Sequence, residues 1–185
     1  MDIRQFRADL ARAFEEAGFK RRVIPHSKDP SWLLSGCEVE RIFSQHAMRR
    51  PWGFLLSGVL SIDVPDFQEW LTTKFPRNRH DVLRSSLLSW HIANDPDMFF
   101  AAEEDDPPYD EWVNQIRRRL AVLPDTIPAL LRAERDDVQG LKTYFDSPNI
   151  WNYFKSWAEG AEPNHSPPDM LPTGQIVDTP ANDRA

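Results

Sequence analysis

Residues 38–75 read EVERIFSQHAMRRPWGFLLSGVLSIDVPDFQEWLTTKF, and they predict a β-hairpin that leads directly into a helix. Two apolar runs flank the corner RRPWG at 49–53. The first run mixes Val39, Ile42 and Phe43 with polar residues, whereas the second run, 53–62, is almost continuously apolar. Strands that are buried on both faces show such continuity. We therefore expect the second strand to be the more central one.

The segments before the hairpin predict a helix and two short strands. Apolar residues recur at helical spacing from Ile3 to Ala17, and Gly18 supplies the left-handed position that ends a helix. Residues 19–24 favour a strand at the edge of a sheet, because their centre is Lys-Arg-Arg and a proline follows. Residues 32–34 predict a further short strand.

The segments after the hairpin predict mainly helices. The pattern predicts N-caps at Asp66, Asp106 and Asp125, with prolines near the first turn of the second and third of these helices. The stretch 77–100 fits helix and strand about equally, and we favour a strand at 87–92. Two further helices are predicted, one around 138–145 and one that begins at Ser147-Pro148 and carries Ile150, Trp151, Phe154 and Trp157 on one face.

Together these patterns predict an α+β fold. Its antiparallel sheet has three to five strands and packs against an N-terminal helix, and the C-terminal half is mainly helical. We expect residues 1–159 to form a single domain. Residues 160–185 contain five prolines and few large apolar side chains, and they predict a disordered tail because little apolar burial would offset the entropy of ordering.

Composition narrows the classes of partner and compartment. The chain has 185 residues and a net charge of −7, from 22 basic and 29 acidic side chains. This balance disfavours binding to nucleic acid or to an anionic membrane and favours a basic partner. Charges interrupt the N-terminal segment every two or three residues, so it predicts neither a signal peptide nor a membrane span. The single cysteine, Cys37, cannot form an intramolecular disulfide, and we expect a cytoplasmic protein.

The histidines do not form a recognisable catalytic or metal-binding pattern. His91 with Asp95 and Asp97 matches no zinc spacing, and the sequence Asn-Asp-Pro-Asp at 94–97 is typical of a turn. His80 and Asp81 are adjacent, and adjacent residues rarely point at each other on regular structure; no nucleophile accompanies them.

The remaining motif search also predicts neither an enzyme nor a cofactor. Ser44 and His46 would share a strand face, where a hydrogen-bonded pair accounts for them without catalysis. Neither GxGxxG nor GxxxxGK[ST] occurs. A hydrolase site assembled from residues distant in sequence, with His46, His80 or His91, stays an open alternative.

Two surface segments are the candidates for binding a partner. The acidic run at 103–106 has the charge that would steer a basic protein, although a solvated loop accounts for it as well. An exposed tryptophan beside two arginines has the composition of an interaction hot spot. The candidate residues are Glu103, Glu104, Asp105, Asp106, Arg49, Arg50 and Trp52.

The first 75 residues resemble a bacterial family of the DUF4304 type. The likeness rests on the opening helix followed by Ala-Gly-Phe-Lys-Arg-Arg at 17–22, on Trp32, and on the two strands at 39–45 and 54–63. The resemblance implies a small α+β bacterial protein of unknown activity, similar in some members to immunity proteins found beside toxins. It transfers no catalytic residue.

We therefore expect a non-catalytic interaction protein, and most specifically an immunity-type protein that neutralises a basic toxin domain. Such a binder needs an exposed aromatic anchor ringed by acidic groups, so the acidic run should lie on the surface near Trp52 or another exposed tryptophan. The alternative is a small-molecule sensor or carrier with an aromatic-lined cavity. The sequence leaves the identity of the partner and the oligomeric state open.

Overall fold

The computed structural model describes residues 1–23, 28–34, 38–74, 88–91, 100–135 and 148–160. Over these ranges the chain is an antiparallel sheet with an N-terminal helix and further helices, which confirms the predicted α+β fold. The helix predicted at 138–145, the tail beyond Gly160, Cys37 and His80 lie outside the described residues.

The elements follow the predicted order, with one additional strand. They are α1 (Ile3–Glu16), β1 (Lys20–Arg22), β2 (Ser31–Leu34), β3 (Glu40–Arg50), β4 (Gly53–Asp63), α2 (Pro65–Lys74), β5 (Leu88–His91), β6 (Phe100–Ala102), α3 (Tyr109–Ala121), α4 (Ile127–Arg135) and α5 (Pro148–Ala158). The strand β6 had no counterpart in the sequence-based prediction.

The predicted hairpin is the centre of the sheet. β3 pairs with β4 over its whole length, from Glu40 opposite Asp63 to Arg50 opposite Gly53. β5 and β6 pair with the two ends of β4 on its other edge, so the six described strands occupy five positions. β4 is buried at all but one of its residues, which confirms that the second strand is the more central one.

The main core lies between α1, α3 and one face of the sheet, which we call the inner face. The Phe6 ring stacks on Phe54 at a centroid distance of 4.2 Å, and the Phe14 ring stacks on Trp32 at 4.6 Å. All four side chains are fully buried. Burial of such aromatic side chains contributes about 2–3 kcal/mol each, so this cluster dominates the stability of the fold.

A second core lies where the hairpin strands end and the helices begin. It joins the ends of β3 and β4 to α2, α4 and α5, and it consists of Val39, Ile62, Val64, Phe67, Leu71, Leu130, Trp151, Tyr153 and Phe154. Of the predicted apolar face of the last helix, Trp151 and Phe154 are therefore buried, and Trp157 is half-buried. Tyr153 is buried as well, although the helical pattern did not indicate it.

Two helix starts differ from the predicted N-caps, by two residues at α2 and by one residue at α4. α2 begins at Pro65, so Asp66 lies in the first turn, because the fixed φ of proline suits the first helical position. α4 is capped by Thr126 and not by Asp125. The Thr126 hydroxyl oxygen accepts the backbone N–H of Ala129 at 3.4 Å, which satisfies one of the unpaired amides of the first turn.

The start of α3 differs further. Asp106 and Pro107 were predicted as its N-cap and first residue, but the helix begins at Tyr109. The residue before a proline is sterically kept out of the helical region, so Pro107 cannot be helical while Pro108 follows it. The acidic run at 103–106 therefore stays outside the helix, in the loop that joins β6 to α3.

Candidate functional site

The tip of the β3–β4 hairpin exposes an aromatic side chain. Arg50 pairs with Gly53, so Pro51 and Trp52 form a two-residue turn. Trp52 is 51% exposed, and among the Phe, Tyr and Trp side chains whose burial the structure describes it is the one that is exposed. A tryptophan held on a tight turn presents a large apolar surface with little conformational freedom to lose on binding.

The strand β6 brings the acidic run to this tip. In the register of β6 against β4, Ala102 lies opposite Phe54. The next residue along each strand is therefore Glu103 beside Gly53, and a Cβ atom placed on Gly53 would lie only 2.9 Å from Glu103 Cα. Two segments that are about fifty residues apart in sequence thus meet at one end of the sheet.

Two of the candidate residues, Arg49 and Glu104, form an ion pair with each other. The Arg49 guanidinium donates to both carboxylate oxygens of Glu104, at 2.9 and 3.0 Å. The ammonium group of Met1 donates to the same carboxylate at 2.9 Å. Arg49 lies two residues after the inner-face residue Ala47 on β3, so its side chain points to the same, α1 side of the sheet. The ion pair ties the acidic loop to the hairpin.

The other candidate residues remain on the surface. Arg50 points to the opposite, outer face, where its guanidinium approaches the Met48 sulfur at 3.6 Å. Glu103, Asp105 and Asp106 are exposed. We call the exposed group the hairpin-tip surface; it consists of Arg50, Trp52, Glu103, Asp105 and Asp106.

The start of α3 extends this acidity. Asp110 and Glu111 lie in the first turn of that helix and are exposed. Between residues 103 and 111 there are six acidic side chains and no basic one. Arg49 and Arg50 offset part of this charge, so the surface is acidic but is not uniformly negative.

Two titrating groups near the tip have shifted pKa values. The hydrogen bond from the Met1 ammonium, followed by that from Arg49, lowers the pKa of Glu104 below its ordinary value of 4.5. Because the pKa is lower in the folded state, the deprotonated carboxylate favours folding; this contribution is complete above 4.5 and is lost as the pH falls through the folded value. Burial raises the pKa of Tyr109 to about 12, and its hydroxyl donates to the Met1 sulfur.

Replacement of Arg49 by glutamine should raise the pKa of Glu104 towards its ordinary value, because the guanidinium bonds favour the charged carboxylate. An NMR titration of the Glu104 carboxyl carbon measures this change. The control is Arg50→Gln, since Arg50 contacts Met48 and not Glu104. Equal pKa increases in the two variants would contradict the assigned pairing.

A largely buried polar network, which the sequence did not indicate, connects α1 to β3 close to the hairpin tip. The Asp29 carboxylate accepts a hydrogen bond from Nε–H of Arg7 at 2.7 Å and another from the backbone N–H of Ala47 at 3.2 Å. Gln45 connects the network to the sheet, since its side-chain oxygen accepts the Trp32 indole N–H at 2.6 Å. This network joins α1 and the loop before β2 to β3, two residues before Arg49, and its members are too far apart in sequence to form a visible motif.

Among the described residues, the structure does not bring a candidate histidine together with other catalytic or metal-binding side chains. His46 is exposed on the outer face, and the Ser44 hydroxyl is hydrogen-bonded at 2.8 Å to that of Ser31 on β2. Within the ranges that the structure describes, no three His, Cys, Asp or Glu residues are placed to hold a metal ion. His80 and the side chain of His91 lie outside the described part.

Comparisons with family models, with curated proteins and with solved structures found no match to this chain. The resemblance to the DUF4304 type stays a prediction. In the described part of the chain, none of the helices has the length and apolarity needed to cross a membrane.

Proposed function

We propose that this chain is a non-catalytic protein-interaction protein and that its hairpin-tip surface binds a basic protein. One observation carries the proposal: the exposed Trp52 directly precedes Gly53, which adjoins Glu103 at the end of the sheet, and the exposed Asp105 and Asp106 lie in the same loop as Glu103. An aromatic anchor with charged groups around it is the arrangement found in interaction hot spots.

The charges suggest how recognition proceeds. The exposed acidic groups would steer a basic surface towards the tip and accept hydrogen bonds from its Lys or Arg side chains. Trp52 would then enter an apolar depression of the partner. Arg50, exposed at the same hairpin tip, would select a partner that offers one acceptor among its basic residues.

The class of partner we propose is a toxin domain with a basic active surface, which this chain would occlude as an immunity protein. The resemblance of residues 1–75 and the net charge of −7 support this proposal. Such a function requires binding without chemistry, which agrees with the lack of a catalytic motif in the sequence.

The test begins with a pull-down from the source organism, followed by co-expression with a basic toxin encoded next to this chain. We expect the wild-type chain to restore growth. The triple variant Glu103→Lys, Asp105→Lys, Asp106→Lys should weaken toxin binding by about tenfold or more at low salt, and Trp52→Ala by about 30-fold, as for other hot-spot residues.

The matched control carries the same charge change elsewhere, at the exposed residues Glu15, Glu16 and Glu159. Isothermal titration calorimetry at low and high salt compares the variants. If the control triple loses as much affinity as the hairpin-tip triple, only the net charge matters and the proposed surface is wrong. Full growth rescue by the Trp52→Ala and hairpin-tip variants would also contradict the proposal.

A further inference from the structure

The two edges of the sheet differ in the protection they have against strand pairing. β1 at one edge is Lys20-Arg21-Arg22, and all three residues are exposed. β6 at the other edge is Phe100-Ala101-Ala102 and carries no charge. Proteins protect edge strands with lysine, proline or bulges, because unpaired backbone groups otherwise accept a further strand. The residues of β1 supply this protection, and those of β6 do not.

The geometry shows which backbone groups β6 offers. The Ala102 carbonyl oxygen lies 2.1 Å from the position of a Cβ atom on Gly53, so this carbonyl points towards β4. Successive residues of an antiparallel strand direct their N–H and C=O groups to opposite sides. The N–H and C=O of Ala101 therefore point away from β4. Within the described residues β6 pairs with β4 alone, and the Ala101 side chain is exposed.

We propose that β6 accepts an additional strand from the basic partner, with Ala101 as the pairing residue. This inference rests on the proposed function in one respect, namely that the partner is basic. A strand laid along β6 would run past Glu103 towards Asp105, which places its Lys or Arg side chains against exposed carboxylates. Main-chain hydrogen bonds would supply affinity, and Trp52 and the acidic run would supply specificity.

The same charges disfavour a second copy of this chain as the occupant. Each copy has a net charge of −7 and carries its acidic run directly after β6. Edge-to-edge pairing of two copies would bring these like charges together, which opposes association. A basic strand meets no such repulsion.

The probe is a short fluorescent peptide of alternating Lys and Val, with a second peptide that has the same side chains and is N-methylated at every backbone nitrogen. The second peptide keeps its charge but cannot donate main-chain hydrogen bonds. We expect the wild-type chain to bind the first peptide at about 50 mM salt and the N-methylated peptide about tenfold more weakly, by fluorescence anisotropy.

Variants locate the site. Ala101→Pro removes the outward N–H and should weaken binding of the first peptide by about tenfold, whereas Val23→Pro, at an exposed residue beside β1, should not. The comparison of the two peptides uses the unchanged protein, so it decides the question even if the proline variant does not fold.

Three outcomes would overturn the inference: equal binding of both peptides, no binding of either, or a dimer of the wild-type chain in sedimentation that the first peptide does not dissociate. If both peptides bind equally and the hairpin-tip triple variant loses them, recognition by charge survives and only strand addition fails. If N-methylation abolishes binding but the triple variant binds normally, strand addition stands and the proposed acidic recognition fails.

Discussion

Replacement of Gly53 by alanine is expected to lower the free energy of unfolding by about 3 kcal/mol or more, because it combines backbone strain with a clash. Gly53 has a φ of +143°, which residues with a Cβ atom rarely adopt. The added Cβ would lie 2.1 Å from the Ala102 carbonyl oxygen. Relief of this clash requires β6 to move away from β4, which would also displace the acidic run from the hairpin tip.

Urea denaturation measures the loss, and the control is Gly18→Ala. Gly18 also has a positive φ, of +84°, but a Cβ atom there would meet nothing within 4 Å. The control should therefore lose only about 1 kcal/mol, the cost of the left-handed conformation. Equal losses for the two variants would mean that β6 does not pack against Gly53 as described.

Removal of the Asp29 carboxylate should be similarly costly. Asp29→Ala would leave the Arg7 guanidinium, which is partly buried, and the Ala47 N–H without their main acceptor. Breaking such a pair by removing one partner costs about 3–5 kcal/mol, because the remaining charge is desolvated and uncompensated. We expect a loss near the lower end of this range, since the Arg7 side chain is 26% exposed and keeps its hydrogen bond to the Ala47 carbonyl.

Thermal and urea unfolding of three variants separates the causes. Asp29→Asn keeps an acceptor oxygen and should recover part of the loss. The comparison variant is Asp9→Ala, whose partner Arg12 is exposed, and it should lose about 1 kcal/mol or less. A loss for Asp29→Ala no larger than that for Asp9→Ala would show that the network does not hold α1 on the sheet.

The spacing of apolar residues within each segment was sufficient to predict most of the helices and strands. The helical spacing from Ile3, the stop at Gly18 and the two runs around the corner at 49–53 each lie within one segment, and each predicted its element correctly. The near-continuous apolar run at 53–62 also indicated the central position of β4, since a strand with neighbours on both edges and cover on both faces has few solvated positions.

Helix starts were predicted less well, because several residues near each start can act as a cap. Asp125 and Thr126 are adjacent and both are good caps, and in the folded chain it is the threonine hydroxyl that accepts a first-turn amide. At α3 the start was decided by Pro108, because a proline keeps the residue before it, here Pro107, out of the helical conformation.

The strand β6 could not be predicted from its own residues. Phe-Ala-Ala is too short for a period to be visible, and alanine has little preference for strands. This strand exists because the free edge of β4 offers backbone partners at Phe54–Leu56. The meeting of Glu103 with Gly53 depends on that pairing, so the hairpin-tip surface is a product of the sheet register.

By itself the sequence determined the α+β class, the hairpin, the central strand and the two candidate segments, because periodicity, turn residues and charge act over a few neighbouring positions. Only the tertiary structure decided that these segments adjoin, that Arg49 and Glu104 pair internally, and that Arg50, Trp52 and Glu103 stay exposed. It also decided that Asp29 and Arg7 form a partly buried pair. These choices depend on contacts between residues far apart along the chain, whose geometry is set by the packing of α1 and α3 on the sheet and leaves no local pattern in the sequence.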